Sequence, residues 1–395
     1  MAVGAVPCCG WNRIMNIKKK TQGTISISAA RLRRLAVGKL KACGLSDSDA
    51  SLVARSLVQT SLWGIDSHGI ALLPHYLRRL KAGSIETKPV LSFTATGPCT
   101  GMLDGGHGLG IVVCHRAMQE AIAMAKASGV GVVGCRHSTH CGAIGLYGRQ
   151  AAETGLIGIA FTHSDAFVAP HGGNRAFLGT NPICITVPSD EGRPVCLDMA
   201  TSATTMNRMM NARREGHLLP ARVALDENGF PTTDACAAAT LLPMAEHKGY
   251  ALAFLIDVLC GPLNGMPFCP HIPAMYGDPS ARRHLGSLML AIDPTRFAGG
   301  RSLAAVVAEM AREARRQPPA APGGEVLVPG DPEYRAERIR SVQGIPVEPG
   351  LYGDLMKAGN GSPRRTRNNG ANLKQNYPKV RARANRASAV SAPVQ

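Results

Sequence analysis

Between Ser28 and Cys43, Leu32, Leu35 and Leu40 recur at helical spacing among arginines and lysines, and Gly44 follows as a stop. The pattern predicts an amphipathic helix. A second helix begins at LSDSDASLVARSLVQTSLW, where Ser46 and Asp49 form a capping-box pair and Leu52, Val53, Leu57 and Leu62 supply an apolar face. DSHG closes it, and ALLPHYLRRLKAG restarts a helical pattern after Pro74. The opening of the chain is expected to be a small helical lobe.

From about residue 99 the texture changes. GMLD, GVGVVGC, GLIGIAFT, ICITVP and VCLDMA are short β-prone runs set among Gly, Pro and Asn, with helical patterns at 111–128 and 143–154 between the first three. This alternation predicts an α/β domain with a largely buried sheet. KGYALAFLIDVLCG has the length and flanking glycines of a buried helix, and GSLMLAIDP reads as a further strand. SLAAVVAEMAREARRQ reads as a surface helix, and DPEYRAERIRSVQG and EPGLYGDLMKAG as closing helices around a short IPV strand. The pattern divides the chain into a helical lobe at 24–98, an α/β domain at 99–284 and a returning strand with helices at 285–357. A basic extension at 1–23 and a basic tail at 358–395 flank them.

Composition changes this picture little. With 395 residues and 45% hydrophobic content, the chain has ample core. Its formal charge of +17 points toward nucleic acid until it is located: residues 1–23 and 358–395 hold four and eight basic residues and no acid, leaving +5 for the body. The tail is poor in large apolar residues and is expected to be disordered. It is a solvated tail or, in a second reading, a tether for nucleic acid. The twelve cysteines are scattered without a CxxC pair, the pattern of reduced thiols in a cytosolic protein. No run has the ~18 apolar residues of a membrane span, and no apolar segment of a secretory signal follows the N-terminal lysines.

Three motifs carry candidate chemistry. GGHGLG at 105–110 has the wrong spacing for the dinucleotide fingerprint GxGxxG and lacks a following acid, so it reads as a glycine turn before a helix. DSHG places Ser67 and His68 at a helix junction, either as a capping turn or as functional groups. CRHSTHCGAIG offers Cys135, His137, His140 and Cys141 as zinc ligands or one of its histidines for proton transfer. Adjacent His140 and Cys141 point apart on a helix and Cys135 ends a strand, which argues against metal.

The run CRHSTHCGAIGLYGRQAAETGLIGIAFTHSDAFVAPHGGNRAFLGTNP, followed by DMATS, DENGFPTTD, LLPMAEHKGYALAFLIDVLCGPLNG and VLVPGDPEYRAERIRSVQGIPV, resembles the malate/L-lactate dehydrogenase family, whose fold is not Rossmann. The resemblance spans roughly residues 24–357, with DSHG in its place upstream. The stretch from STHCGAIG to LIDVLCGPLNGMPF is especially similar to ureidoglycolate dehydrogenase, a member of that family. The resemblance implies a mixed-sheet NAD(P)-binding α/β domain beside a helical lobe. It also implies hydride transfer between NAD or NADP and a small 2-hydroxy or 2-oxo acid, in a homodimer. His140 matches the family's proton-transfer histidine, a residue type whose ordinary pKa of about 6.5 suits the task. Asp165 is the candidate to orient it, and His68 the second contender, lining the substrate pocket with Ser67. Cofactor residues carry over to Ser164, Asp198, Met199, Ala200 and Lys248, and further to Gly330 and Asp331.

This chain also departs from the family pattern. Trp63 and Leu72 stand where relatives often carry arginines, Asn207-Arg208 replaces a Gly-Lys pair, and Val223 replaces a tryptophan. The cation that anchors the substrate carboxylate is therefore open, with Arg78 and Arg79 nearby in sequence. An alternative reading is a degenerate paralogue that binds cofactor without turnover.

Overall fold

The computed structural model describes residues 23–297 and 302–357. The N-terminal extension up to residue 22 and the tail from residue 358, with the disorder and tether readings attached to it, lie outside the described residues. In chain order the elements are β1 (Ile25–Ile27), α1 (Ala29–Ala42), α2 (Asp47–Leu62), α3 (Leu73–Lys81), β2 (Ser92–Ala95), β3 (Thr100–Asp104), α4 (Gly110–Ser128), β4 (Val130–Ser138) and α5 (Gly145–Ala152). There follow β5 (Ile157–Thr162), β6 (Ile183–Val187), β7 (Val195–Met199), α6 (Met206–Glu215), β8 (Ala224–Leu225), β9 (Thr240–Leu241) and α7 (His247–Cys260). The chain closes with β10 (Leu285–Ile292), α8 (Leu303–Arg315), α9 (Asp331–Gln343), β11 (Ile345–Val347) and α10 (Pro349–Met356).

The described residues form two compact units, one of residues 23–77 with 330–357 and one of 78–297 with 302–329. This cut differs from the sequence division in two places. Residues 78–98 belong with the sheet, because Ser92–Ala95 pairs with β3 and buried Arg79 is bonded to carbonyls of the 274–281 loop. The segment 285–357 is shared out, since β10 enters the sheet while α9, β11 and α10 join the N-terminal helices.

In the smaller unit, the expected caps form. Ser28 Oγ accepts the Arg31 N–H at 3.4 Å and Ser46 Oγ accepts the Asp49 N–H at 3.1 Å. Leu32, Ala36 and Leu40 of α1 and Val53 and Leu57 of α2 are buried. β1 closes the unit by antiparallel pairing with β11, with Ile25 opposite Val347.

The larger unit is built on a seven-stranded mixed sheet of order β2-β3-β4-β10-β5-β6-β7. Only β3 and β4 run parallel as neighbours; the remaining pairs are antiparallel. Side chains alternate between faces, so Met289 and Ala291 of β10 join the core under α4 and α5 with Leu103, Val133 and Cys135. Burying a side chain the size of Leu103 or Met289 contributes about 1.5–3 kcal/mol. On the opposite parity, Gly286 lies against the Cys260 carbonyl of α7. A second core gathers Val168, Leu178, Val223 and Leu241 around β8 and β9. The helix α7 departs from expectation: Ala253, Ile256 and Cys260 are buried, but Phe254, Leu255 and Val258 are 44%, 59% and 40% exposed. An apolar run says that side chains avoid water, not what covers them.

Candidate active site

The sheet register brings the candidate residues to one edge. β10 lies antiparallel between β4 and β5, with Leu285 opposite Ser138 and Ser287 opposite Thr162. The C-terminal ends of β4 and β5 therefore leave the sheet side by side at the start of β10. His140 follows the first and His163-Ser164-Asp165 the second. Ile183 of β6 pairs with both Phe161 and Met199, which puts Asn181 and the Asp198-Met199-Ala200 stretch on the same edge. The GGHGLG turn follows β3 there too, for Asp104 is opposite Arg136. Strand C-terminal edges of this kind are where open α/β sheets collect ligand-binding groups.

Each loop is fixed by specific bonds. The Thr139 hydroxyl accepts the Gly110 N–H at 2.9 Å and donates to the Gly108 carbonyl at 3.1 Å, locking the His140 segment to the start of α4. GGHGLG is thus a turn into a helix, as its spacing indicated. His140 is half-buried, and its Nδ1 accepts the Gly142 N–H at 3.3 Å. Ser164 Oγ accepts the Thr180 N–H at 3.3 Å, and its own N–H donates to Asn181 Oδ1 at 3.2 Å. Asn181 is buried with φ 25°, and its amide also donates to the Ala253 carbonyl of α7 at 2.9 Å. GTNP therefore forms a tight turn tied to that helix. Asp198 Oδ2 accepts the Gly145 N–H at 2.8 Å at the start of α5. Lys248 is exposed in the first turn of α7, after Ala245 and Glu246 at φ 46° and 56°. Left-handed non-glycine residues are costly and cluster at functional sites.

Asp165 meets partners other than the expected one. Its Oδ1 accepts Arg283 Nη2 at 2.5 Å and its Oδ2 accepts the Met275 N–H at 2.9 Å, so its hydrogen bonds serve Arg283 and not His140. The reason is electrostatic: a guanidinium only 2% exposed needs a counter-ion beside it. Behind this pair, His163 Nε2 accepts the Gly286 N–H at 2.9 Å while Nδ1 faces Asp257 of α7 at 3.1 Å. That bridge joins β5, β10 and α7.

The CRHSTHCGAIG histidines separate in role. His137, with φ 49°, places Nδ1 3.0 Å from Asp104 Oδ2. Burial opposes ionisation of Asp104, but the Gly106 N–H, His137 and Arg136 outweigh it and hold its carboxyl below the usual range. Cys135 and Cys141 are buried in the apolar core. Among the described residues no His, Cys, Asp or Glu group is arranged to hold a metal.

In the smaller unit, DSHG forms a short 3₁₀ turn, Asp66–His68, held from both sides. Arg340 grips Asp66 with Nη1 on Oδ1 at 2.5 Å and Nη2 on Oδ2 at 2.9 Å. Gly69 approaches Ser61 so closely that a Cβ would lie 2.1 Å from its Oγ. Ser67 Oγ is 2.8 Å from His68 Nδ1, and loss of water around the imidazole pulls its pKa from 6.5 to about 4. Gly330, at φ 101°, caps α9, and Asp331 begins it.

The chain matches the malate/L-lactate dehydrogenase family over residues 27–356. It is 36% identical over 332 residues to ureidoglycolate dehydrogenase (NAD(+)) of Escherichia coli O157:H7, covering 84% of this chain and 95% of that one. The chain belongs to the malate/L-lactate dehydrogenase family. Membership makes it a nicotinamide-linked oxidoreductase of the hydroxy-acid type. It is also 37% identical to malate/(S)-sulfolactate dehydrogenase of Methanothermus fervidus, over 84% of this chain and 96% of the relative. Among solved structures, sulfolactate dehydrogenase from Methanocaldococcus jannaschii aligns with a TM-score of 0.79 at 34% identity, covering 84% of this chain and 95% of that one. The mixed sheet and the helices of the fold are those of this family.

The departures from the family pattern now have places. Trp63 and Leu72, where relatives often carry arginine, are buried apolar residues, and Val223 belongs to the second core. Asn207 and Arg208 lie in the first turn of α6. Of the two nearby arginines, Arg78 is exposed and Arg79 is buried with both Nη atoms on carbonyls of Ala274, Met275 and Ala281. Arg283 and the His163–Asp257 bridge escaped the sequence reading. ARRHLG looks like a surface turn, and the sole available signal was its place just before a strand.

Proposed function

We propose that this protein oxidises a small 2-hydroxy acid, or reduces the matching 2-oxo acid, with His140 exchanging the hydroxyl proton. The observation that carries the reading is the convergence of His140, Ser164, Asp165 and Asp198–Ala200 on one sheet edge through the register of β4, β10, β5, β6 and β7. The bound nicotinamide dinucleotide supplies the hydride acceptor. Lys248 fits its phosphates, because an exposed ammonium at the start of α7 adds to the positive pole of the helix. Ser164 and Asp198–Ala200 complete the cofactor set on that edge. For Ser67, His68, Gly330 and Asp331 the support is their match to the family's motifs.

The proton is handled by the imidazole of His140. Its Nδ1 accepts the Gly142 N–H at 3.3 Å, a bond that helps to orient the ring. Of the named relatives, one acts on ureidoglycolate and others on malate or sulfolactate. We therefore place the substrate among small hydroxy acids with a carboxylate beside the reacting carbon. We also infer that a second copy of the chain covers the apolar face of α7, where Phe254, Leu255 and Val258 with neighbouring Leu263 and Phe268 stand 40–59% exposed.

The test is nicotinamide absorbance with both cofactors and a panel of malate, lactate, sulfolactate and ureidoglycolate, with His140→Ala and His68→Ala alongside. Loss of turnover by about 10²–10⁴-fold in His140→Ala, with cofactor still bound, is the expected result. Full activity in His140→Ala removes it as the proton acceptor. Cofactor binding by wild type without turnover of any acid or reduction of any oxo acid identifies a degenerate paralogue instead.

A further inference from the structure

We propose that Arg283 is the group that holds the substrate's carboxylate, with Asp165 as its positioning residue. This rests on the hydroxy-acid reading above. Three observations carry it. Arg283 is 2% exposed, yet only its Nη2 has a hydrogen-bond partner, Asp165 Oδ1 at 2.5 Å, while Nε and Nη1 are buried with none. Buried N–H donors of a permanent cation are rarely left unmade, so this guanidinium has room in its bonding for an anion or an ordered water.

The second observation is place. Leu285 is opposite Ser138, so Arg283 arrives at the sheet where the chain departs toward His140. A hydroxyl carbon within reach of His140 has its neighbouring carboxylate on that same sheet edge.

The third is charge. Arg79 and Arg283 are both buried, and among the described residues the buried carboxylate that faces this pair is Asp165, bonded to Arg283; Asp278, also near Arg79, is exposed. Burial and the charge of Arg283 lower the pKa of Arg79 to about 10, as expected where positive charge is in excess. Arg79 spends its Nη donors on the Ala274, Met275 and Ala281 carbonyls. That loop in turn presents the Met275 N–H to Asp165 Oδ2 at 2.9 Å, fixing the carboxylate that aims Arg283. Trp63 and Leu72 are apolar and buried, and Arg79 has both Nη atoms on carbonyls with only Nε unpaired, whereas Arg283 has Nε and a whole Nη group unpaired, the adjacent pair of donors that a carboxylate takes.

The test uses the full chain with bound reduced cofactor and oxamate, a small 2-oxo acid analogue, as the probe. Arg283→Gln is paired with the double variant Asp165→Asn/Arg283→Gln, which leaves no buried unpaired carboxylate and keeps the experiment readable if the single variant does not fold. The proposal expects unchanged cofactor affinity and oxamate affinity weaker by about 100-fold in the double variant. It also expects the kcat/KM preference for a hydroxy acid over its primary amide to collapse, because a purely structural change slows both substrates alike. Asp165→Asn alone raises KM more than it lowers kcat. Unchanged oxamate affinity in the double variant overturns the anchor, leaves only an ordered water on Arg283, and leaves the dehydrogenase reading intact. Absence of both oxamate binding and turnover in wild type overturns both.

Discussion

A histidine deprived of water stays neutral, and His68 is such a residue. Its pKa falls from 6.5 to about 4 in the folded chain, so between those values the unfolded chain binds more protons. Stability from the neutral imidazole is complete above pH 6.5 and is lost as pH falls toward about 4. Urea midpoints measured across this window are expected to drop, with a shallower slope in His68→Gln; equal slopes count against a His68 ring held neutral by the fold. At this scale the sequence nominates candidates where a residue type sits within a motif, as with His140, Ser164 and Lys248. It was silent on Arg283 and on the true partner of Asp165, because an ion pair joining positions 118 apart leaves no local pattern.

Elements were legible where local physics decides them. The Ser28 and Ser46 caps and the helices and strands around them follow from hydrophobic period and turn chemistry. The insertion of β10 between β4 and β5 does not, since it depends on pairing between distant segments. Nor does the half-exposed state of α7. Two glycines in helices separate propensity from packing. Gly38 of α1 has open space where a Cβ would lie, so Gly38→Ala is expected to add about 0.5–1 kcal/mol in urea unfolding. At Gly110 a Cβ would lie 2.1 Å from the Thr139 carbonyl oxygen, so Gly110→Ala is expected to cost about 3 kcal/mol and to lower kcat by displacing His140. A Gly110→Ala protein as stable as wild type contradicts the close packing on which the His140 segment depends.

For the whole molecule, the apolar face of α7 is the feature that asks for a partner. If a second copy covers it, light scattering gives a dimer for wild type and a monomer for Phe254→Glu/Leu255→Glu; a wild-type monomer, or a variant still dimeric, removes that interface. No helix among the described residues is long and apolar enough to cross a membrane. The mixed sheet brings the proposed cofactor groups together from several strand ends and one helix start, with no GxGxxG turn among them. The proposed reaction is direct hydride transfer at that edge. It is tested most directly by supplying a hydroxy acid deuterated at the carbon bearing the hydroxyl, together with oxidised cofactor, and analysing the reduced cofactor by mass spectrometry and NMR. Deuterium at C4 of the nicotinamide, on one face only, is the predicted result. Reduced cofactor without deuterium, or no reduction with any acid of the panel, contradicts it.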